Sequence, residues 1–313
     1  MISKQPSVAT STLETIGNTP VVHLRRIVPT NEAAVYLKLE TLNPTGSYKD
    51  RGALAMIEQA ELRGALKPGM TVVEYTSGSA GAAFAFVCAL KGYRFRVVSS
   101  DAFSPEKLKT MQALGAELSI VHSPTGRVTA DLVLRIMARA KELGAADNVY
   151  MTDQFNNRDA LVGYERMGRE LVDQIPQGIA AFCAGVGTAG MIMGVARVLK
   201  AANRATRIVA LEPDTSPAIT QGWAGEHHVE GLGAGFVPPL LDRDYYDEAR
   251  AISEETAREM CRRLAREEGL IVGISTGLNV AAAIDLGRRL GPDNTVVTVA
   301  GDTGFKYMAG DLF

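Results

Sequence analysis

The stretch "VVEYTSGSAGAAFAF" (residues 72–86) runs from an apolar, β-branched segment through very small residues into an alanine-rich helical pattern. A strand, a tight turn and a helix in that order form half of a βαβ unit. Small residues at such a turn let backbone N–H groups converge on the positive end of the helix, which suits a carboxylate or phosphate. The alternative is a tight turn packed closely on the sheet.

Working outward, apolar runs alternate with longer helical patterns. Strands are expected at 34–40, 71–75, 95–99, 117–121, 179–183, 207–212 and 294–300. Helical patterns fall at 51–64, 82–92, 105–115, 127–144, 183–200 (after its glycine turn) and 253–269. This rhythm predicts an α/β chain with open, mostly parallel twisted sheets and helices on both faces. Chemistry then belongs in loops beyond the carboxyl ends of strands. Two βα series flank "TDQFNNRDALVGY" (152–164), so a domain change is expected near residues 150–160.

The 313 residues are 46% hydrophobic and 22% charged, with a formal net charge of -2 and no basic run. That balance argues against nucleic acid as a partner. Residues 1–20 have no apolar signal core, and no apolar run is long enough for a membrane span, so a cytoplasmic protein is expected. Cys88, Cys183 and Cys261 are scattered and read as reduced, buried thiols. The four histidines have no metal-ligand spacing.

Two further segments carry chemistry. In "CAGVGTAGMIMGVARVLK" (183–200), Gly185, Gly187 and Gly190 spell a dinucleotide fingerprint. The acidic residue it wants arrives late, at Glu212, and Pro213 follows at once. A phosphate socket of backbone N–H groups over residues 187–191 needs fewer assumptions. In "LNPTGSYKDRGALAMIE" (42–58), Ser47 can cap a helix beginning near Lys49 or Asp50. Asp50 suits the helix dipole there, whereas Lys49 and Arg51 do not unless each has another task. Lys49 is either a solvated lysine or an amine of lowered pKa, a candidate Schiff-base nucleophile. An amine, a phosphate socket and a separate carboxylate socket are the parts that hold pyridoxal phosphate and an amino acid. In "GLIVGISTGLNVAAAIDLG" (269–287), another post-strand turn is expected to place Ser275 and Thr276 against a ring.

With these motifs in hand, the chain resembles the pyridoxal-phosphate enzymes of fold type II, the tryptophan synthase β type. It is most similar to the cysteine synthase and cystathionine β-synthase group. The resemblance rests on "IGNTPVVHL" (16–24), "LNPTGSYKDR", "TSGSAG", "GVGTAG", "EGLGAGF" (230–236) and "GISTG" (273–277), in the family's order. It implies a cofactor in the cleft between two domains. The smaller, mobile domain would span 36–157, and the larger 158–313 with 1–35 crossing over. Lys49 would form the internal aldimine and shuttle the α-proton. Gly187, Thr188, Ala189, Gly190 and Met191 would bind the phosphate, Ser79 would lie near the ring, and Ser275 would sit at the pyridine nitrogen. Thr76, Ser77, Gly78, Ser79, Ala80 and Gln154 would face the substrate carboxylate.

The resemblance further implies β-replacement on a serine-derived amino acid, of the O-acetylserine or O-phosphoserine kind, through an aminoacrylate, in a homodimer. A serine hydroxyl at the ring nitrogen leaves a weaker electron sink than a carboxylate would, which favours loss of a β-substituent. The family's TSGNTG is TSGSAG here, which removes donors at Ser79 and Ala80. Ala189 and Met191 replace a glycine and a threonine, and Asp302 in "AGDTGFKY" (300–307) is an added carboxylate. Asp302 is expected to cap the following turn or to approach the ring nitrogen. The changed loop counts against O-acetylserine with sulfide as the substrate pair and against docking of a serine acetyltransferase tail. Rival readings are a serine or threonine dehydratase, a nucleotide-binding oxidoreductase using "GVGTAG", and a non-catalytic binding protein.

Overall fold

The computed structural model of the chain describes residues 8–126 and 129–313. Among the described residues, ten strands form two sheets. The larger contains β1 (Val21–His23), β2 (Ala34–Leu39), β7 (Ala181–Gly185), β8 (Arg207–Pro213), β9 (Glu248–Ile252) and β10 (Thr295–Ala300), in the order β1-β2-β10-β7-β8-β9. Only the β1–β2 pairing is antiparallel. The smaller sheet is wholly parallel and runs β5-β4-β3-β6, from β3 (Thr71–Tyr75), β4 (Arg94–Ser100), β5 (Glu117–Val121) and β6 (Val149–Met151). Two mostly parallel sheets with intervening helices match the expected fold class.

The helices are α1 (Lys49–Leu62), α2 (Ser79–Lys91), α3 (Pro105–Ala113), α4 (Ala130–Gly144), α5 (Ala160–Gln174), α6 (Gly190–Ala202), α7 (Glu254–Arg263) and α8 (Ile274–Leu290). The pattern expected over 127–144 begins at Ala130; residues 127 and 128 lie outside the described residues, as do residues 1–7. The pattern at 253–269 is α7 followed by a π-turn over Leu264–Glu268 that ends at Gly269, whose φ is +71°.

Three strands went unanticipated because each is half-buried and lacks a long apolar run: β1, β6 and β9. The post-strand turn expected before "GISTG" is corrected. Residues 269–273 form no strand, and only the isolated bridge between Val272 and Thr303 ties them to the chain's end. Because β2 pairs along its length with β10, a domain boundary at residue 36 would split a strand of the larger sheet.

The core explains why both sheets read as apolar runs. β10, β7 and β2 bury Val296, Val297, Val299, Phe182 and Leu37 between helices on both faces. Parallel strands covered on both sides lose the polar–apolar alternation.

Candidate functional site

Four chain segments leave parallel strands at one edge and enter or approach a helix: β2 to α1, β3 to α2, β7 to α6, and β10 to residues 301–307. All the sequence-predicted residues lie in or beside them.

The β3–α2 loop is an anion cradle. Thr76 N bonds Val98 O at 3.1 Å and Gly78 N bonds Thr76 Oγ1 at 3.1 Å. Among the described residues, the N–H groups of Ser77, Ser79, Ala80 and Gly81 have no protein acceptor. They crowd the uncapped start of α2, where partial positive charge favours an anion. Side chains pack closely on the turn: a Cβ on Gly78 would lie 2.4 Å from Lys107 Cδ, and one on Gly81 2.2 Å from Met111 Sδ, so a larger residue at either would have to displace them. Beneath the loop Gln154 is buried, its Nε2 donating to Tyr75 O at 3.1 Å.

The β7–α6 loop is a second cradle. No protein acceptor meets the N–H groups of Gly187, Thr188, Ala189, Gly190 or Met191 among the described residues. Ala189 adopts φ +66°, a left-handed conformation that costs an alanine about 1 kcal/mol. A Cβ on Gly187 would lie 2.2 Å from Gly231 O, so the "EGLGAGF" turn roofs this loop. Glu212, the residue a dinucleotide fingerprint would need, is buried and accepts from Ile219 N, Thr220 N and Thr220 Oγ1 at 2.7–2.8 Å. Its carboxylate is spent on the fold, which removes the ribose contact of the oxidoreductase reading.

Lys49 opens α1, and its N–H donates to Ser47 Oγ at 3.3 Å. Its ammonium lies 5.1 Å from the Tyr48 ring centroid. Tyr48 N and Ser47 Oγ both donate to Gly301 O at 3.1 Å. A Cβ on Gly301 would stand 3.2 Å from Ser275 Oγ and 3.4 Å from the Tyr48 ring. Tyr164 joins this group to the second cradle: its ring meets that of Tyr48 edge-on at 5.8 Å and lies 3.3 Å from where a Gly190 Cβ would be. Tyr48 and Tyr164 thus link the start of α1 and Gly301, beside Ser275, to Gly190 at the start of α6. Thr276, expected against a ring, is fully buried, and its Oγ1 accepts from Gly301 N at 3.0 Å. That hydroxyl holds the backbone rather than a ligand.

One expectation about the altered positions is corrected. Asp302 does not cap the final turn; Thr303 does, accepting from Phe305 N at 3.3 Å. Asp302 Oδ2 instead accepts from Tyr307 OH at 2.8 Å and from Ser79 Oγ at 3.2 Å. Ser79 Oγ also accepts from Lys306 Nζ at 3.3 Å. The serine that replaces the family's asparagine is thus tied to the added aspartate. The chain continues through Tyr307 OH, which accepts from Lys107 Nζ at 3.1 Å, to the Lys107–Glu230 ion pair. It links α2 and α3 of the smaller sheet to the end of the larger one.

Sequence reasoning missed Glu74, Lys107 and the partners of Arg51. Glu74 is fully buried and accepts from Tyr75 N at 2.7 Å, Thr152 Oγ1 at 2.5 Å and Gln154 N at 3.0 Å. Burial pushes its carboxyl up to about 7 against those hydrogen bonds. A charged residue inside "TVVEY" was the available signal. Arg51 has the other task that its helix position demanded. Its guanidinium makes paired bonds of 2.7–2.8 Å to buried Glu40 and two of 2.7 Å to Glu170, which Lys38 also meets at 2.6 Å. Burial alone would raise Glu170, but Arg51 and Lys38 hold it down to about 2. The cysteines are buried thiols pushed up to about 12, first by desolvation. Among the described residues no cluster could hold a metal and no helix could cross a membrane.

Two rows of N–H donors without protein acceptors, together with a lysine at the start of α1, fit a phosphate-bearing aldehyde and an amino acid carboxylate. The comparisons agree. The family described as "Pyridoxal-phosphate dependent enzyme" matches residues 12–302. A cysteine synthase of Staphylococcus aureus is 43% identical over 300 residues, covering 95% of both chains. A probable cysteine synthase of Bacillus subtilis is 38% identical over 311 residues, covering 98% of both. The crystal structure of O-ureido-L-serine synthase superposes with a TM-score of 0.90 at 36% identity, over 98% of this chain and 96% of that one. The chain belongs to the pyridoxal-phosphate dependent enzyme family.

Proposed function

We propose that the protein catalyses β-replacement on a serine-derived amino acid, in the manner of a cysteine synthase. The observation that carries this is the pair of N–H rows without a protein acceptor, at the starts of α2 and α6, together with Lys49 at the start of α1. Residues 187–191 would hold the cofactor's phosphate, Lys49 its aldehyde carbon, and Ser275 its ring nitrogen. Bound there, pyridoxal phosphate supplies a conjugated ring that delocalises the electron pair left when Cα loses its proton.

The chain's own residues do the rest. The N–H groups of Ser77, Ser79, Ala80 and Gly81 take the substrate carboxylate, and Thr76, Gly78 and Gln154 shape that pocket. With a substrate held there, the Lys49 amine would take the Cα proton as the β-substituent leaves with its bonding electrons. The nucleophile then bonds to Cβ, and Lys49 returns the proton to Cα. Ser275 is a neutral partner, so it does not hold a proton on the ring nitrogen as a carboxylate would. Buried Tyr164, with half-buried Tyr48 against it, keeps water from the inner wall.

We also place the moving parts in the smaller sheet and its helices, within residues 71–157 rather than from residue 36, and the cofactor cradle in 158–313. The buried thiols support a reducing compartment, the cytoplasm; a homodimer follows from the family resemblance alone. Purified holoenzyme given a serine-derived donor, O-acetylserine or O-phosphoserine, with sulfide or a thiol should form cysteine or an S-substituted analogue. Pyruvate formed at the same rate with and without any nucleophile would instead establish a dehydratase.

A further inference from the structure

Lys306 lies in the 3-10 turn Gly304–Tyr307, which follows β10 and Gly301. Its side chain is half-buried, and its ammonium touches Ser79 Oγ at 3.3 Å, at the first residue of α2. Among the described residues no carboxylate oxygen lies within 4.0 Å of that ammonium. A sheltered cation without a close counter-ion is costly unless something binds it. Burial does lower the proton affinity of Lys306, and Asp302 opposes this only in part.

Most of the surrounding charge is engaged elsewhere. Asp302 Oδ2 accepts from Ser79 and Tyr307, while its buried Oδ1 has no hydrogen-bond partner and faces Gly273 at the start of α8. The positive end of that helix offsets the aspartate's charge. Lys107 is paired with Glu230. On the outer side, Lys306 and Tyr307 line a cavity of about 380 Å³ with Ser104, Glu230 and Arg258. Arg258 in turn is paired with Glu254 and Asp311, both at 3.0 Å. Lys306 therefore stands between the carboxylate cradle and this cavity with N–H donors to spare. The cofactor's phosphate and the substrate's α-carboxylate each have a backbone row of their own, which leaves Lys306 facing a third anion.

We infer that Lys306 is a specificity residue, binding an anionic oxygen group carried either by the donor's departing substituent or by the incoming nucleophile. This deepens the β-replacement reading and rests on it. An anion seated there would also compete with Ser79 for the Lys306 ammonium, so binding would loosen the Ser79 contact.

The test compares wild-type holoenzyme with Lys306→Met and Lys306→Arg. The donor arm measures kcat/KM for O-phosphoserine relative to O-acetylserine, with sulfide. The nucleophile arm measures mercaptoacetate relative to 2-mercaptoethanol, with O-acetylserine. Loss of a charge-assisted hydrogen bond should lower the relevant ratio ten- to hundredfold in Lys306→Met, and Lys306→Arg should restore most of it. A fall in the first ratio places the anion on the donor, and a fall in the second places it on the nucleophile. Calorimetric titration of the same holoenzymes with inorganic phosphate reads the site without turnover, with at least tenfold weaker binding expected in Lys306→Met. Equal ratios in both arms together with equal phosphate affinity would overturn the inference. If no donor is turned over, the β-replacement reading fails and the phosphate titration alone decides Lys306. Should Lys306→Met not fold, Lys306→Gln, which retains a donor for Ser79, replaces it in every arm.

Discussion

Replacing Gly187 by alanine is a sharp test of the second cradle. The new methyl would stand 2.2 Å from Gly231 O, about 0.8 Å inside the 3.0 Å limit that real Cβ atoms respect. The obstruction is backbone, so no rotamer relieves it. Gly231 sits at φ +86°, and Gly233 N bonds Val186 O at 3.1 Å, tying the roofing turn to the cradle. Either the turn moves or the 187–191 loop shifts. Overpacking of this kind costs about 1–3 kcal/mol. Displacing even one N–H from a bound phosphate costs about 1.5–3 kcal/mol more, ten- to hundredfold in affinity.

The assays are urea unfolding of the apoprotein and titration of the apoprotein with pyridoxal phosphate, followed by absorbance. A control is Gly287→Ala in α8, where the nearest atom to a new Cβ is Ala33 O at 3.4 Å. It should gain about 0.5–1 kcal/mol, as alanine does over glycine within a helix, and keep its cofactor affinity. Gly187→Ala with stability and cofactor affinity both within twofold of wild type would refute the cradle.

Three other predictions concern the supports of the site. Arg51→Met strands buried Glu40 and Glu170, so urea unfolding should show a loss of about 3–5 kcal/mol, and a loss under 1 would show that the ion network is dispensable. Lys107→Met cuts the Glu230 pair and the Tyr307 bond that span the two sheets; KM for the amino acid should rise about tenfold with hydrogen exchange quickened in α3, and an unchanged KM would remove that link from the site. Glu74 has a folded pKa of about 7, raised by burial above its model-peptide value of 4.5. Its contribution is therefore greatest below the unfolded pKa and is lost as pH rises through about 7. Glu74→Gln should flatten the fall in stability across that window, and an unaltered pH profile of unfolding would contradict the assignment.

The sequence was most legible where one physical requirement dominates a segment. Six strands showed as apolar runs because they are largely buried, β5 showed only by its own apolar residues at the sheet edge, and the two cradles showed as small residues between strand and helix. Lys49 and Arg51 betrayed themselves as cations at the wrong end of a helix dipole. What stayed hidden depends on distant pairing. Nothing near Glu170 announces that it receives Arg51 across 119 residues, nor does Ser79 show that it will meet Asp302 across 223. Asp302 reads locally as a turn cap, and only the return of residues 301–307 against α2 gives it other partners. The strands β1, β6 and β9 are half-buried, so their periodicity is weak, and pairing with a neighbour defines them.

The central claim is that Lys49 is the amine that carries the cofactor. Reduction of the purified holoenzyme with borohydride, followed by proteolysis and mass spectrometry, reads that bond directly. The account predicts a single pyridoxyl-modified peptide with the label on Lys49, absent from Lys49→Ala. Label on Lys306 or another lysine, or a wild-type protein that takes up no label after incubation with pyridoxal phosphate, would contradict it.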